Sequence, residues 1–426
     1  MTIAWEISTL NNGLRVVTTP VSTAQSVSAC IFVGVGSRAE EERSQGLAHF
    51  LEHMVFKGTR KRPTAIAIAE AIEGAGGTLN AYTSKEVTCF WNHLPYDRLE
   101  LAIDVLADML NAPLLDPEEI ERERSVVQQE IRRTSDQPAA WAGELMVRAL
   151  FGDQPMGWST AGNIETVAAI QRDDFRGWLE TWYQPQNLVV SVAGNTSHEQ
   201  AVALVQSHFG DSPPRPTPSV IPVDSDLPAQ RIVTETRDIS QANLVIGMPS
   251  LSRHDPDRYA LLVLNSVLGR GMSSRLFKEV RERRGLAYSI GASISRYADS
   301  GLFAITAGVS PEKLTEAVRV ILEELRKLTQ EVVGEEELAK ARDYTVGSFR
   351  LSLETPLALA QRAGENLLTM GEIETIEAVV EKIGAVNADD ILRLAGRVFQ
   401  PDKTTLAVVG PAGSEAALQD LLEISA

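Results

Sequence analysis

Residues 173–194 read DDFRGWLETWYQPQNLVVSVAG, and residues 389–410 read DDILRLAGRVFQPDKTTLAVVG. The two align without a gap at an offset of 216. Asp173 and Asp174 match Asp389 and Asp390, Tyr183-Gln184-Pro185 matches Phe399-Gln400-Pro401, and Gly194 matches Gly410. Each copy reads as a helix, a Pro turn and an apolar, β-branched strand that stops at Gly. Self-similarity on this scale marks a duplicated structural unit. The chain is therefore expected to hold two homologous domains in tandem, 1–212 and 231–426. The Pro-rich, polar stretch at 213–230 suits a linker between them.

Working outward, LNNGLRVV near residue 10 signals a hairpin about Asn12-Gly13. Residues 26–35 read as a strand, 44–57 as a helix with Leu47, Leu51 and Met54 or Val55 on its apolar face, and 78–83 and 87–94 as strands beyond a Gly74–Gly77 break. Asp116-Pro117-Glu118-Glu119 is a helix start, with an Asp cap, Pro at the first position and acids in the first turn. That helix should run to about residue 133. Long helices follow Pro311 and occupy the region around 335–370. The mixture predicts an α+β fold in which each domain is a mostly antiparallel sheet packed with helices.

The chain has 426 residues, 44% hydrophobic and 23% charged, an ordinary globular profile. A net charge of -17 argues against a nucleic-acid partner. It favours basic peptides over acidic ones through long-range attraction that salt screens. Cys30 and Cys89 form no CxxC pair and sit in apolar stretches, so they read as buried free thiols in a reducing compartment. No signal-peptide pattern and no membrane-length apolar run is present, so a cytoplasmic protein without a membrane partner is expected.

Residues 49–53 read His-Phe-Leu-Glu-His. On a helix, positions i and i+4 share a face, so His49 and His53 can reach one Zn²⁺. Glu52 projects near that face and can take a proton from a water on the metal. This inverted HxxEH order is found in zinc peptidases. By composition it should arise by chance in roughly one chain of this kind in a hundred, so a metal site outweighs two stray histidines. A catalytic zinc needs a third protein ligand and an open fourth position. Glu123 and Glu130, seven apart on the helix after Asp116, share a face. On spacing alone either fits as ligand, with the other holding a histidine N–H, and a solvated acidic face fits as well.

These motifs together resemble the pitrilysin/insulinase family of zinc metallopeptidases, in the branch of the mitochondrial processing peptidases and their bacterial relatives. The resemblance spans nearly the whole chain. It is carried by LNNGLRVV, GLAHFLEHMVFKGT at 46–59, GGTLNAYTSKE at 76–86, ERERSVVQQEI at 121–131, GRGMSSRLF at 269–277 and RERRGLAY at 281–288. It implies one zinc per chain on His49, His53 and Glu130, with Glu123 supporting the site and Glu52 as general base. It also implies a peptide bound as an added strand beside Asn80, Ala81 and Tyr82. Phe56 resembles the apolar residue lining the pocket after the cleaved bond, although plain core packing explains it nearly as well. Arg281 and Tyr288 match an Arg/Tyr pair that contacts the substrate carbonyl region. The second half has no HxxEH and reads as a degenerate copy. In family members paired chains enclose a chamber, so a homodimer is expected, with a heterodimer as the variant. The expected activity is endopeptidase cleavage of short or unstructured peptides. The rivals are a non-catalytic assembly subunit of the same family and, more remotely, a hydrolase or lyase of small molecules.

Overall fold

Residues Ser26–Val33 are buried along nearly their whole length, which requires cover on both faces of the sheet they centre. The computed structural model describes residues 4–225, 231–412 and 415–424. The chain forms two compact units. The first contains a six-stranded sheet of β1 (Glu6–Thr9), β2 (Arg15–Pro20), β3 (Ser26–Val33), β4 (Thr78–Thr83), β5 (Thr88–Pro95) and β6 (Leu188–Gly194). Its order is β1-β2-β6-β3-β5-β4, with only the β2–β6 pair parallel. The second contains β7 (Ile232–Glu235), β8 (Ala242–Pro249), β9 (Ala287–Arg296), β10 (Gly301–Val309) and β11 (Thr405–Val409), in the order β7-β11-β8-β10-β9. Here only the β7–β11 pair is parallel. Apart from β1, the two sheets have one topology, as the repeat predicts.

The repeat segments correspond element by element. Helix Arg172–Trp182 is matched by Ala388–Val398, and the 3₁₀ turn Pro185–Asn187 by Pro401–Lys403. β6 ends at Gly194 and β11 is followed at once by Gly410, both with φ 122, a conformation that L side chains resist.

One face of the first sheet is packed by helices Leu47–Val55 and Leu99–Asn111. Val27, Ala29, Ile31 and Val33 of β3 join Leu51, Met54 and Leu106 in this core. The opposite face is covered by helix Pro356–Met370, which lies on β2, β3 and β6. Leu359, Ala360, Ala363, Gly364 and Leu367 are buried there. Burying the two leucines contributes about 1.5–3 kcal/mol each. In the second unit, helix Pro138–Phe151 lies on β8 and β11, with Ala142 and Met146 packed beside Val245 and Ala407.

The spatial units therefore differ from the sequence division in two segments. Arg132–Trp158 belongs with the second sheet and Leu351–Thr375 with the first. Each brings the helix that completes a sheet otherwise open on one face. Residues 213–225 of the expected linker form neither helix nor strand, and 226–230 lie outside the described residues. The helix after Asp116 runs to Asp136 and stops where Pro138 restricts Gln137. The 335–370 region is two helices, Glu335–Leu351 and Pro356–Met370, parted by the Thr355 cap and Pro356.

A Cβ at Gly364 would lie 2.3 Å from Phe32 Cε2 and 2.8 Å from Ser191 Cβ. Gly364→Val should lower stability by about 1–3 kcal/mol through overpacking, and Gly364→Ala by less. Urea unfolding monitored by circular dichroism checks this, and an unchanged midpoint for the valine variant would refute the packing.

Candidate metal and catalytic site

The motif helix Leu47–Val55 buries Leu47, Ala48, Phe50, Leu51, Met54 and Val55, which leaves His49, Glu52 and His53 on a common stripe. Phe50 anchors it, its ring meeting Phe175 edge to face at 4.9 Å. The second helix, Pro117–Asp136, is capped by Asp116, whose Oδ1 accepts the Glu118 N–H at 2.8 Å. Arg124 fixes its rotation. The guanidinium donates to the carbonyls of Val167 and Ile170 and lies 5.6 Å above the Phe50 ring.

These two anchored helices bring three donor atoms together. His49 Nε2 lies 3.3 Å from His53 Nε2, and Glu130 Oε2 lies 3.7 and 3.5 Å from them. Ligands on a tetrahedral zinc with bonds of about 2.0–2.1 Å are about 3.3–3.4 Å apart. The triangle is therefore close in size to one face of such a tetrahedron, and these three residues would hold the ion. Among the described residues this is the one group of three or more His, Cys, Asp or Glu donors placed to hold an ion.

Glu123 and Glu130 are separated by depth. The Glu123 side chain is 8% exposed and that of Glu130 43%. Glu123 Oε1 lies 2.8 Å from His53 Nδ1 and Oε2 lies 2.5 Å from Lys57 Nζ. His53 thus donates Nδ1–H to Glu123 and keeps its Nε2 lone pair toward His49 and Glu130. Burial disfavours a charged His53, but the Glu123 hydrogen bond and the charges of Glu130, Glu123 and Glu52 outweigh it and raise its pKa. Burial likewise opposes ionisation of Glu123, but His53 and Lys57 outweigh it and hold its pKa low. His49 is pushed down to about 4 by burial and by His53, so its ring stays neutral and its lone pair available. Its Nδ1 is buried with no partner among the described residues.

Glu52 stands beside this cluster, its Oε2 accepting from Thr83 Oγ1 at 2.5 Å. Burial and then the charge of Glu130 raise its pKa, against the Thr83 bond and His53, which lower it. Thr83 ends β4, the edge strand of the first sheet, which carries Asn80, Ala81 and Tyr82. Asn80 is exposed, and its Oδ1 accepts the Ala81 N–H at 2.8 Å. Phe56 caps the motif helix and is half-buried, its ring 6.5 Å from that of Phe90.

Arg281 and Tyr288 belong to the second unit. Arg281 lies on a π-helical stretch, Phe277–Arg283, and Tyr288 near the start of β9. The Arg281 guanidinium sits 4.8 Å above the Phe277 ring and 5.6 Å above that of Tyr288, which is 78% exposed. The structure thus pairs these two residues with each other. Two residues beside the cluster, Thr83 and Lys57, carry no sequence signal of their own, since both lie inside the quoted motifs without standing out from them.

A family model described as insulinase, peptidase family M16, matches residues 15–163, and one described as the peptidase M16 inactive domain matches residues 169–344. The chain is 37% identical over 410 residues to an uncharacterized zinc protease of Streptomyces coelicolor, covering 95% of this chain and 89% of that one. It is 35% identical over 406 residues to another from Bacillus subtilis, covering 95% and 98%. A protease from Helicobacter pylori has the same fold, with a TM-score of 0.88 at 24% identity over 96% of this chain and 100% of that chain.

The His53–Glu123 pair sets a pH window in metal-free protein. His53 has a raised pKa, so its contribution is complete below about pH 6.5 and is lost as pH rises through the raised value. Glu123 has a lowered pKa, so its contribution is complete above about pH 4.3 and is lost as pH falls through the lowered value. Glu123→Gln should cost about 2–4 kcal/mol between those limits and less at pH 8.5. Urea unfolding of chelator-treated protein at pH 5.5 and 8.5 measures the difference, and an equal cost at both would refute the pairing.

Proposed function

The chain belongs to the insulinase (M16) peptidase family, and from that premise we propose that it is a zinc-dependent endopeptidase of short or unstructured peptides. The observation that carries this reading is the triangle of His49 Nε2, His53 Nε2 and Glu130 Oε2 with the Glu52 carboxyl beside it. Zinc held there supplies Lewis acidity, which acidifies a water and polarises the scissile carbonyl. His49 and His53 bind through neutral rings, and Glu123 orients His53. Glu52 takes the proton of the attacking water and returns it to the leaving amine nitrogen. Its burial favours taking up the proton that it must later return.

The substrate adds as a strand on the free edge of β4, and main-chain hydrogen bonds give affinity without fixing sequence. The Asn80 oxygen on the Ala81 N–H occupies a bond that an incoming peptide carbonyl can take over. Phe56 is the apolar contact for the residue after the cleaved bond. Arg281 and Tyr288, already paired, contact the substrate carbonyl region within the same chain or a second copy. The reading is of a cytoplasmic homodimer enclosing its peptide. The two buried free cysteines are in keeping with a reducing compartment, and no helix among the described residues is long and apolar enough to cross a membrane.

A second reading, a non-catalytic subunit of the same family, is favoured only by the description of residues 169–344 as an inactive domain. That description covers the half without HxxEH, and the metal triad lies outside it. Purified protein should hold one zinc per chain. Glu52→Gln should keep the zinc and lose about 10²–10⁴ of turnover. Wild-type activity should decline as pH falls through the Glu52 pKa, because the base must be ionised. Peptide cleavage by Glu52→Gln at the wild-type rate would sink the mechanism, and absence of stoichiometric zinc would favour the scaffold.

A further inference from the structure

The helix that carries His49, Glu52 and His53 begins without a cap of its own. Its first flanking residue, Gly46, has φ 92 and no side chain to offer. A Cβ there would lie 2.5 Å from the Ala161 carbonyl oxygen, so Ser, Thr, Asp and Asn are all excluded from the position. The N–H groups at a helix start still need acceptors. Glu40, six residues upstream of Gly46, supplies them. Its Oε2 accepts the Gly46 N–H and its Oε1 the Ala48 N–H, each at 2.8 Å. Glu40 is only 2% exposed. Burial pushes its carboxyl up to about 8, while the two N–H groups and Lys85 pull it down.

Glu40 is itself held by the hairpin of the edge strand. The N–H groups of Ser37 and Arg38, in the 3₁₀ turn before Glu40, donate to the carbonyls of Ser84 and Lys85 at 3.0 and 2.8 Å. Ser84 and Lys85 form the turn between β4 and β5, and Thr83 beside them donates to Glu52. One hairpin therefore grips the motif helix twice, through Glu40 at its start and through Thr83 at Glu52.

The two histidines need different support. His53 is oriented through its ring by Glu123. His49 has no such partner, because its Nδ1 is unpaired among the described residues. Its aim depends on the backbone, and the Ala48 N–H that Glu40 holds is one residue before it. We propose that Glu40 is a positioning residue of the metal site, its two carboxyl oxygens fixing the first turn of the motif helix and thereby the direction of His49. Small displacements of such groups are costly to metal binding and to turnover. The effect on chemistry rests on the metallopeptidase reading, and the effect on the helix does not.

Three variants test this in the full-length protein: Glu40→Gln, Glu40→Asp and the exposed control Glu42→Gln. In metal-free protein, Glu40→Gln should speed hydrogen exchange of the Gly46 and Ala48 amides at least about tenfold, because one acceptor is lost and an NH₂ group faces a backbone donor. It should also weaken zinc at least about tenfold in chelator competition, change the visible spectrum of the Co²⁺-loaded protein, and lower kcat with KM unchanged. Glu40→Asp should recover part of each effect, and Glu42→Gln should match wild type. If Glu40→Gln does not fold, Glu40→Asp against Glu42→Gln carries the comparison. Unchanged exchange would overturn the cap. Faster exchange with wild-type zinc affinity and cobalt spectrum would overturn the positioning role. Wild-type protein without zinc would sink the metallopeptidase reading and the positioning role with it, and the exchange data would still tell that failure apart from failure of the cap.

Discussion

Each sheet in this chain has one face that its own half of the sequence does not cover. Helix Pro356–Met370 closes the first sheet and Pro138–Phe151 the second. The small residues Ala360, Ala363 and Gly364 let the first of these approach β3 and β6 until the Ser191 hydroxyl reaches the Ala360 carbonyl at 2.7 Å. The sheet is thereby covered on both faces, and the site is built against it. The motif helix lies on the clamped sheet, and β4 is hydrogen-bonded to its outermost buried strand.

On this frame the site is built from charges that do not cancel. Glu52, Glu123 and Glu130 together carry three negative charges when ionised, and Lys57 carries one positive charge. With both imidazoles neutral, the surplus equals the charge of a divalent cation. The same surplus raises the pKa of His53. His49 escapes it because burial and the neighbouring ring act in the opposite direction. The two histidines of one motif thus differ in their proton affinity as well as in their support.

Much of this was readable from local grammar. The 216-residue repeat foretold twin sheets, and the match extends to the paired helices, the Pro turns and the left-handed glycines. The i, i+4 histidines and the Asp116-Pro117 start located both helices of the site. What stayed hidden depends on partners distant in sequence. The pattern around 335–370 marks helix but does not say which sheet that helix covers, and the sequence reading is silent on 138–151. Seven-residue spacing puts Glu123 and Glu130 on one face, and only the crossing of two helices makes one deep and the other reach the cluster. Glu40 looks like one acid in a run of three. Its role requires Gly46 to be left-handed and unable to cap, which no residue pattern announces.

The exchanged helices also give the two sheets different histories during synthesis. Helix Pro138–Phe151 is made before any strand of the second sheet, so those strands meet a cover that already exists. The first sheet has all its strands once Gly194 has been added, and its cover begins only at Pro356. At about 5–20 residues per second, a ribosome needs roughly 10–30 seconds to cross that stretch. For that interval the apolar surface around Phe32 lacks the helix that covers it in the finished fold.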